Sequence, residues 1–165
     1  HIHPVGSSAQ KSYPQLKLIE ILSHLLRANH TIVLTMTPSE EKWYVTPLLS
    51  NFIATHKDNL HFKSKYFSAK EIVEYIQNAK VFCTVNTGLL WLSILLGKKV
   101  VVLDTFTDYE WTPTPYNGVT RLGHDYDENG DSLHLTLKKH EDGTYFESMY
   151  LIQSGEAAEA ILSTI

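Results

Sequence analysis

The chain contains 165 residues, 43% of them hydrophobic, and carries a formal net charge of -4 at pH 7. A chain of this length forms one domain that removes roughly 70% of its unfolded surface from water, so it needs neither disulfides nor a metal to fold. The acidic balance argues against a general nucleic-acid-binding protein, because such proteins carry a basic stripe.

Cysteine usage predicts a protein of a reducing compartment, and hydropathy predicts no membrane-spanning helix. The single cysteine, Cys83, lies within an apolar strand pattern, so we expect a buried thiol in a reducing compartment. The longest apolar stretches, residues 89–96 and 100–103, are much shorter than the ~20 residues of a membrane-spanning helix. The nine histidines form no close pair with a neighbouring acid at ligand spacing, so no metal site is predicted.

The chain opens with an alternation of strand and helix. Residues 1–5 have the pattern of a strand entering a loop, and we therefore expect the chain to be the second half of a longer protein. An amphipathic helix is predicted from Tyr13 to about Asn29, followed by a β-branched strand over residues 31–36. The predicted buried stripe of the helix consists of Leu16, Ile19, Leu22, Leu25 and Leu26.

Two further helix starts are marked by capping residues. Thr37 is followed by a proline and two acids, which is typical of a helix start, and Pro47 must kink or restart that helix. After a short strand over residues 60–62, Ser68 and Glu71 fit a capping box. The helix that opens there is predicted to bury Ile72, Val73 and Ile76.

The strongest functional signal is a junction between a strand and a helix. A buried strand over residues 80–85 leads through Asn86 into a helix over residues 87–96, which Gly97 ends. Residues 100–103 follow as a strand whose unbroken apolar run indicates burial on both faces. With Asn86 as the N-cap, the first N–H groups of the helix are available to an anion such as phosphate, although a plain capped helix fits the same pattern.

The last third of the chain departs from this alternation. A proline-rich segment over residues 111–116 is followed by a predicted hairpin with strands over residues 133–138 and 144–152. A final helix is predicted over residues 155–161. The hairpin either closes over a binding cleft or covers a sheet edge.

The repeated βα units predict the α/β class. Such units form a parallel sheet with right-handed crossovers and helices on both faces, which is a three-layer, Rossmann-like arrangement. We expect a single domain, with a βα core in residues 1–116 and the hairpin and terminal helix in residues 117–165. Ligands of these sheets bind at the carboxyl ends of the strands.

Several side chains that follow the predicted strands suit a nucleotide. Ser7 and Ser8 can donate hydrogen bonds to a diphosphate, and Lys11 can supply a cation. Glu40 can accept from a ribose diol, and Phe67 can pack on a base. Each also has a structural alternative: the serines in an ordinary turn, Glu40 as a partner of the helix dipole, and Phe67 in the core.

Four motifs resemble, in the same order, those of glycosyltransferase family 9, the ADP-heptose lipopolysaccharide heptosyltransferases. Residues 3–14 (HPVGSSAQKSYP) resemble its HPG-x-S…K-x-W-P segment, and residues 38–40 (PSE) resemble its P-x-E. Residues 86–92 (NTGLLWL) resemble its D-S/T-G-x-x-H-L. Residues 103–113 resemble its L-F-G-P-T-D-P…W-x-P, with Thr107, Asp108, Trp111 and Pro113 retained.

The resemblance implies the donor-binding, carboxyl-terminal half of a B-type glycosyltransferase. Such an enzyme transfers a sugar from a nucleotide with inversion, and without a required metal or other cofactor. The first expected donor is ADP-heptose, and the acceptor is a lipopolysaccharide core or another glycan at the inner face of a bacterial inner membrane. The general base is expected in an amino-terminal domain absent from this chain, which alone should be inactive.

The resemblance also assigns roles to individual residues. Ser7, Ser8 and Lys11 would hold the diphosphate, Glu40 the ribose and Phe67 the base. The departing phosphate would meet the amides of Thr87 and Gly88, and the predicted donor site is completed by Asn86, Trp91, Thr107 and Asp108.

Two positions depart from the motifs of that family. Asn86 stands where they have aspartate, and Trp91 stands where they have histidine. An amide carries no charge, and an indole offers a stacking face in place of an imidazole. These departures leave open a non-catalytic nucleotide-binding or scaffolding homologue, and a flavodoxin-like binding or regulatory domain is a third possibility.

Overall fold

The computed structural model describes residues 1–104, 118–123 and 152–165. The strands within these ranges are β1 (Ile2–His3), β2 (Ile32–Met36), β3 (Leu60–Ser64), β4 (Val81–Val85), β5 (Lys99–Leu103) and β6 (Val119–Leu122). All pair in parallel, in one sheet with the order β3-β2-β1-β4-β5-β6. The predicted hairpin over residues 133–152 lies almost wholly outside the described residues.

Helices connect and cover these strands. They are α1 (Gln15–Arg27), α2 (Pro38–Tyr44), α3 (Pro47–Thr55), α4 (Ala69–Asn78), α5 (Gly88–Leu95) and α6 (Ser154–Thr164). A short 3₁₀ turn, Ala9–Lys11, precedes α1. In the described part of the chain, no helix combines the length and the apolar character needed to cross a bilayer.

The sheet is buried between two helical layers. Residues of α1, α2, α3 and α6 form the main hydrophobic core on one face, and α4 and α5 cover the other. Along β4, Val81, Cys83 and Val85 belong to the main core, whereas Phe82 packs with α4. Cys83 is buried as predicted, and burial raises the pKa of its thiol to about 12. The predicted three-layer α/β arrangement is confirmed.

The helix starts predicted at Thr37 and Ser68 are also confirmed. The Thr37 hydroxyl accepts from the backbone N–H of Glu40 at 3.3 Å, and the Glu40 carboxylate accepts from the backbone N–H of Thr37 at 2.6 Å. Ser68 and Glu71 make the same reciprocal pair at 3.3 and 2.9 Å. Pro47 occupies the first turn of α3 rather than kinking a longer helix.

The buried stripe of α1 differs from the prediction. Leu16 is 58% exposed, and the residues buried in this helix are Leu18, Ile21, Leu22 and Leu25. Ile19 and Leu26 lie at the edge of the core, only partly buried. Leucine and isoleucine occupy two adjacent stripes of this helix, and apolar spacing alone does not distinguish between them.

One strand was not predicted from the sequence. Strand β6 runs parallel to β5 and extends the sheet beyond residue 116. It has four residues, and its half-buried Thr120 and Arg121 interrupt any apolar run. The terminal helix was predicted, and as α6 it packs against α1.

The loop that follows β1 is held closed by short contacts. The backbone N–H of Gly6 donates to the Ser12 hydroxyl at 2.9 Å, and that hydroxyl donates to the Ser8 carbonyl at 2.7 Å. A Cβ at Gly6 would overlap the Lys11 carbonyl oxygen and lie 2.7 Å from the Lys11 Cβ. Position 6 therefore requires glycine because the chain passes so close to itself.

Gly6→Ala should destabilise the protein by about 2 kcal/mol, because the added methyl forces the loop apart. Gly88→Ala is the matched control, since a Cβ at Gly88 meets no atom within 4 Å. It should change stability by no more than about 0.5 kcal/mol. Urea denaturation of both variants measures the difference, and equal stabilities would contradict the packing argument.

Candidate functional site

A cavity of about 580 Å³ opens at the carboxyl ends of β1, β2 and β4. Its walls come from the loop after β1, the start of α2, the segment after β3 and the start of α5. The lining residues include His3, Gly6, Ser7, Thr35, Thr37, Glu40, Tyr66, Phe67, Asn86, Thr87, Gly88 and Leu89. Strand order reverses between β1 and β4, and ligands of doubly wound sheets bind at that switch point.

The structure brings six of the predicted site residues to this cavity: Ser7, Glu40, Phe67, Asn86, Thr87 and Gly88. Ser8, Lys11 and Trp91 do not line it. Lys11 contributes through its backbone, which packs against Gly6 of the cavity wall. Trp91 is 43% exposed on α5. The predicted contacts of Thr107 and Asp108 lie outside the described residues.

Glu40 serves the helix and faces the cavity at once. One carboxylate oxygen, Oε2, accepts from the Thr37 backbone N–H, so Glu40 caps the helix, a role that the sequence analysis did not assign to it. The other, Oε1, lies 3.9 Å from Nε2 of His3. A carboxylate has about four acceptor positions. The capping bond therefore leaves Glu40 able to accept hydrogen bonds from a ligand.

His3 is a site residue that the sequence analysis did not single out. Its side chain is almost fully buried, and its Nδ1 lies 3.3 Å from the Thr35 hydroxyl. The same hydroxyl lies 2.7 Å from Nε2 of His1, so two histidines share it. Burial lowers the pKa of His3, against the opposing effect of the Glu40 carboxylate. The motif at residues 3–14 contained this histidine, but nothing in its spacing indicated the contact with Glu40.

Two aromatic side chains form the outer wall after β3. The half-buried Phe67 ring packs edge-on against Tyr75, with ring centroids 5.5 Å apart, and the Lys65 ammonium lies 5.4 Å from its centre. Tyr66 is 70% exposed, and its hydroxyl is 2.8 Å from that of Ser39. Phe67 is thus both part of the packing and accessible from the cavity, and Tyr66 is a second aromatic that sequence reasoning missed.

The start of α5 differs from the predicted cap. Thr87, not Asn86, is the N-cap, and its buried hydroxyl has no hydrogen-bond partner among the described residues. Asn86 instead donates from Nδ2 to the carboxylate of Asp104 at 3.1 Å. Asp104 is buried at the end of β5, at the position where the resembled motif has phenylalanine. The neighbouring strand thus supplies a partner that the local pattern could not indicate.

Other cavities among the described residues lie away from this edge of the sheet; one of about 660 Å³ lies beside the junction of α2 and α3 and is lined by residues such as Glu41 and Asn51. Within residues 1–104, 118–123 and 152–165, no group of three or more histidine, cysteine or acidic side chains is placed to hold a metal. A second cavity of about 580 Å³ lies at the amino ends of β2 and β4, lined by residues such as Ile32 and Val81. Ligands of parallel sheets bind at the other edge.

Comparison with known structures identifies the fold. The chain is similar to ADP-heptose lipopolysaccharide heptosyltransferase II of E. coli, with a TM-score of 0.74 and 14% identity over 99% of this chain and 45% of that one. It is similar to a family 9 glycosyltransferase of Veillonella parvula DSM 2008, with a TM-score of 0.70 and 11% identity over 99% and 45%. The chain is also similar to E. coli heptosyltransferase WaaC with ADP-2-deoxy-2-fluoro heptose. The TM-score is 0.68, and the identity is 13% over 99% of this chain and 42% of that one.

These similarities confirm the predicted Rossmann-like half of a B-type glycosyltransferase fold. The chain spans less than half the length of each of these structures. No protein-family profile matches the sequence, and no curated protein matches it. At such low identity the similarity establishes the fold and leaves the chemistry to be argued from the cavity.

Asn86→Asp should destabilise the protein by about 1 to 3 kcal/mol, because it sets a second carboxylate against Asp104 in a largely buried position. Adding Asp104→Asn reverses the donor and acceptor and should restore most of the loss. Urea denaturation of wild type, both single variants and the double variant gives the coupling. Additive effects would show that the two side chains do not depend on each other.

Proposed function

We propose that the protein binds a nucleoside diphosphate sugar in the switch-point cavity, as the donor-binding part of an inverting glycosyltransferase. The observation that carries this proposal is the cavity itself, which lies where strand order reverses and joins a carboxylate, an aromatic wall and a helix N-terminus. The similarity of the chain to a heptosyltransferase structure with ADP-2-deoxy-2-fluoro heptose supports a nucleotide sugar as the ligand.

The order of the strands suggests how the nucleotide lies. Tyr66 and Phe67 follow β3, Glu40 follows β2, and Gly88 follows β4, so the three features are met in that order across the sheet. The base would pack on the aromatic wall, the ribose would meet Glu40, and the diphosphate would lie at the start of α5. Ser7 lies between the last two, at the end of β1.

The start of α5 suits a diphosphate for electrostatic reasons. The first N–H groups of a helix lack helical acceptors, and the helix dipole adds partial positive charge there. Open space above Gly88 lets an anion approach the backbone closely. Ser8 and Lys11 do not line the cavity. They remain predicted contacts of the diphosphate, because they lie in the same loop as Ser7, which does line it.

These groups would assist the transfer by stabilising the leaving group. An acceptor hydroxyl attacks the anomeric carbon opposite the diphosphate, the bond from that carbon to the phosphate oxygen breaks, and the diphosphate leaves with the electron pair. Fixed dipoles and cations at the place where this negative charge grows lower the barrier. The base that takes the acceptor's proton would come from another part of a longer protein.

The proposed substrates follow the resemblance to family 9. ADP-heptose is the first proposed donor, and a lipopolysaccharide core or another glycan is the proposed acceptor. Such an acceptor would be met in the cytoplasm at the inner face of a bacterial membrane, and a second Rossmann-like domain would complete the cleft. Trp91, Thr107 and Asp108 are proposed to contact the donor or the closing domain.

A second candidate is a nucleotide-binding homologue without transferase activity. The Asn86 and Asp104 pair favours it, because the carboxylate that the resembled motif places at position 86 is here an amide occupied by a neighbouring strand. Both candidates require nucleotide binding. Turnover of an ADP-sugar by the complete protein separates them.

ADP should raise the thermal midpoint of the protein, since a ligand at a hundred times its dissociation constant adds about 2.7 kcal/mol of stability. Adenosine should raise it far less, because it lacks the diphosphate. The measurement is a thermal denaturation series with ADP, GDP, UDP, CDP and adenosine. If no nucleoside diphosphate moves the midpoint, the protein does not bind this class of ligand and the proposal fails.

Glu40→Gln should weaken ADP binding about tenfold, because a charge-assisted hydrogen bond to the ribose becomes a neutral one. The amide oxygen still caps Thr37, so the helix start is kept. Glu41→Gln removes the same charge from the same helical turn outside the cavity and should leave the affinity unchanged. Isothermal titration calorimetry compares the two, and equal losses would contradict a direct role for Glu40.

A further inference from the structure

His3 and Glu40 face each other across a narrow gap in the cavity wall. Nε2 of His3 and Oε1 of Glu40 are 3.9 Å apart, which is too far for a direct hydrogen bond. Both residues line the cavity, and His3 is only 7% exposed. The line between the two atoms is too short to hold an oxygen, but an oxygen atom about 2.0 Å to one side of that line would lie about 2.8 Å from each, which is the ordinary hydrogen-bond distance.

The Glu40 carboxylate favours one tautomer of His3, and the neighbouring Thr35 hydroxyl accommodates it because a hydroxyl can donate or accept. Thr35 has one hydroxyl hydrogen and lies within reach of both Nδ1 of His3 and Nε2 of His1. A carboxylate facing Nε2 of His3 favours a hydrogen on that nitrogen, which leaves Nδ1 as an acceptor. Thr35 then donates to His3 and accepts from His1, and Nε2–H of His3 is directed towards the gap.

The opposite side of the gap is held as an acceptor. Oε2 of Glu40 accepts from the Thr37 backbone N–H at 2.6 Å, which fixes the orientation of the carboxylate. Oε1 is the oxygen that faces His3. The two walls therefore present one donor and one acceptor to a single atom. A hydroxyl group meets both, whereas an ether oxygen lacks the hydrogen and an ammonium lacks the acceptor.

We propose that His3 contacts the ligand directly: with Glu40 it binds one hydroxyl of the nucleotide ribose, His3 donating from Nε2 and Glu40 accepting at Oε1. This inference rests on the proposed nucleotide-binding function and adds a specificity-determining residue to it. The gap lies at the ends of β1 and β2, between the aromatic wall and the start of α5, which is the place proposed for the ribose.

Two variants separate the two nitrogens of His3. His3→Asn keeps a polar group near Nδ1 for Thr35 and removes the donor at Nε2. His3→Gln extends an amide N–H towards the position of Nε2. Calorimetric titration gives the affinities of wild type and both variants for ADP, 2′-deoxy-ADP and 3′-deoxy-ADP. The variants show the effect of removing the donor from the protein, and the deoxy nucleotides show the effect of removing each hydroxyl from the ligand.

Wild type should bind one of the two deoxy nucleotides about tenfold more weakly than ADP, since a site built for a hydroxyl is left unpaired without it. His3→Asn should bind ADP about tenfold more weakly and should distinguish ADP from that deoxy nucleotide less than the wild type does, because only the Glu40 contact to the hydroxyl remains. His3→Gln should recover most of the affinity and the discrimination. The thermal midpoints of the unliganded variants show whether the fold is retained.

The outcomes separate this inference from the function on which it rests. If wild type binds ADP and both deoxy nucleotides equally well, the hydroxyl contact is wrong whether or not the variants fold, and nucleotide binding stands. If His3→Asn weakens ADP and both analogues by the same factor, His3 acts only through the structure, and the inference is overturned. If wild type binds no nucleoside diphosphate, the proposed function and this inference both fail.

Discussion

The position of β1 between β2 and β4 is the constraint on which the site depends. Ile2 pairs with Leu34 on one side and with Cys83 on the other, so a strand of two residues holds the centre of the sheet. The chain must leave this strand at the point where strand order reverses. It then turns back through the tight contact between Gly6 and Lys11, which places the loop at the mouth of the cavity.

Local helix capping orients the main polar group of the cavity. A glutamate three residues after a threonine N-cap is a common stabilising pattern, and here the same carboxylate faces the cavity. Because the Thr37 backbone holds one oxygen of Glu40, the other is oriented before any ligand arrives. Under the proposed function this preorganisation would lower the entropic cost of binding, so the stability of the helix start and the affinity for the nucleotide would depend on one contact.

At the ends of β4 and β5, this chain and the resembled motifs differ in which strand carries an acidic residue. The resembled motifs have an acid at position 86 and phenylalanine at position 104, whereas this chain has Asn86 and Asp104 joined by a hydrogen bond of 3.1 Å. The carboxylate is therefore still present in this region but is buried one strand away.

The sequence by itself determined the fold class, the helix start at Thr37, the capping box at Ser68, and most elements up to residue 104, because each depends on spacing or on contacts within a few residues. It also placed Glu40 and Phe67 at strand ends, and the sheet brought them to one cavity. Only the tertiary structure decided which stripe of α1 is buried, that β6 joins the sheet, and that His3 faces Glu40 while Asn86 meets Asp104. Those contacts join residues that are far apart along the chain. A local sequence pattern does not indicate which strand will pair with a given strand in the folded sheet.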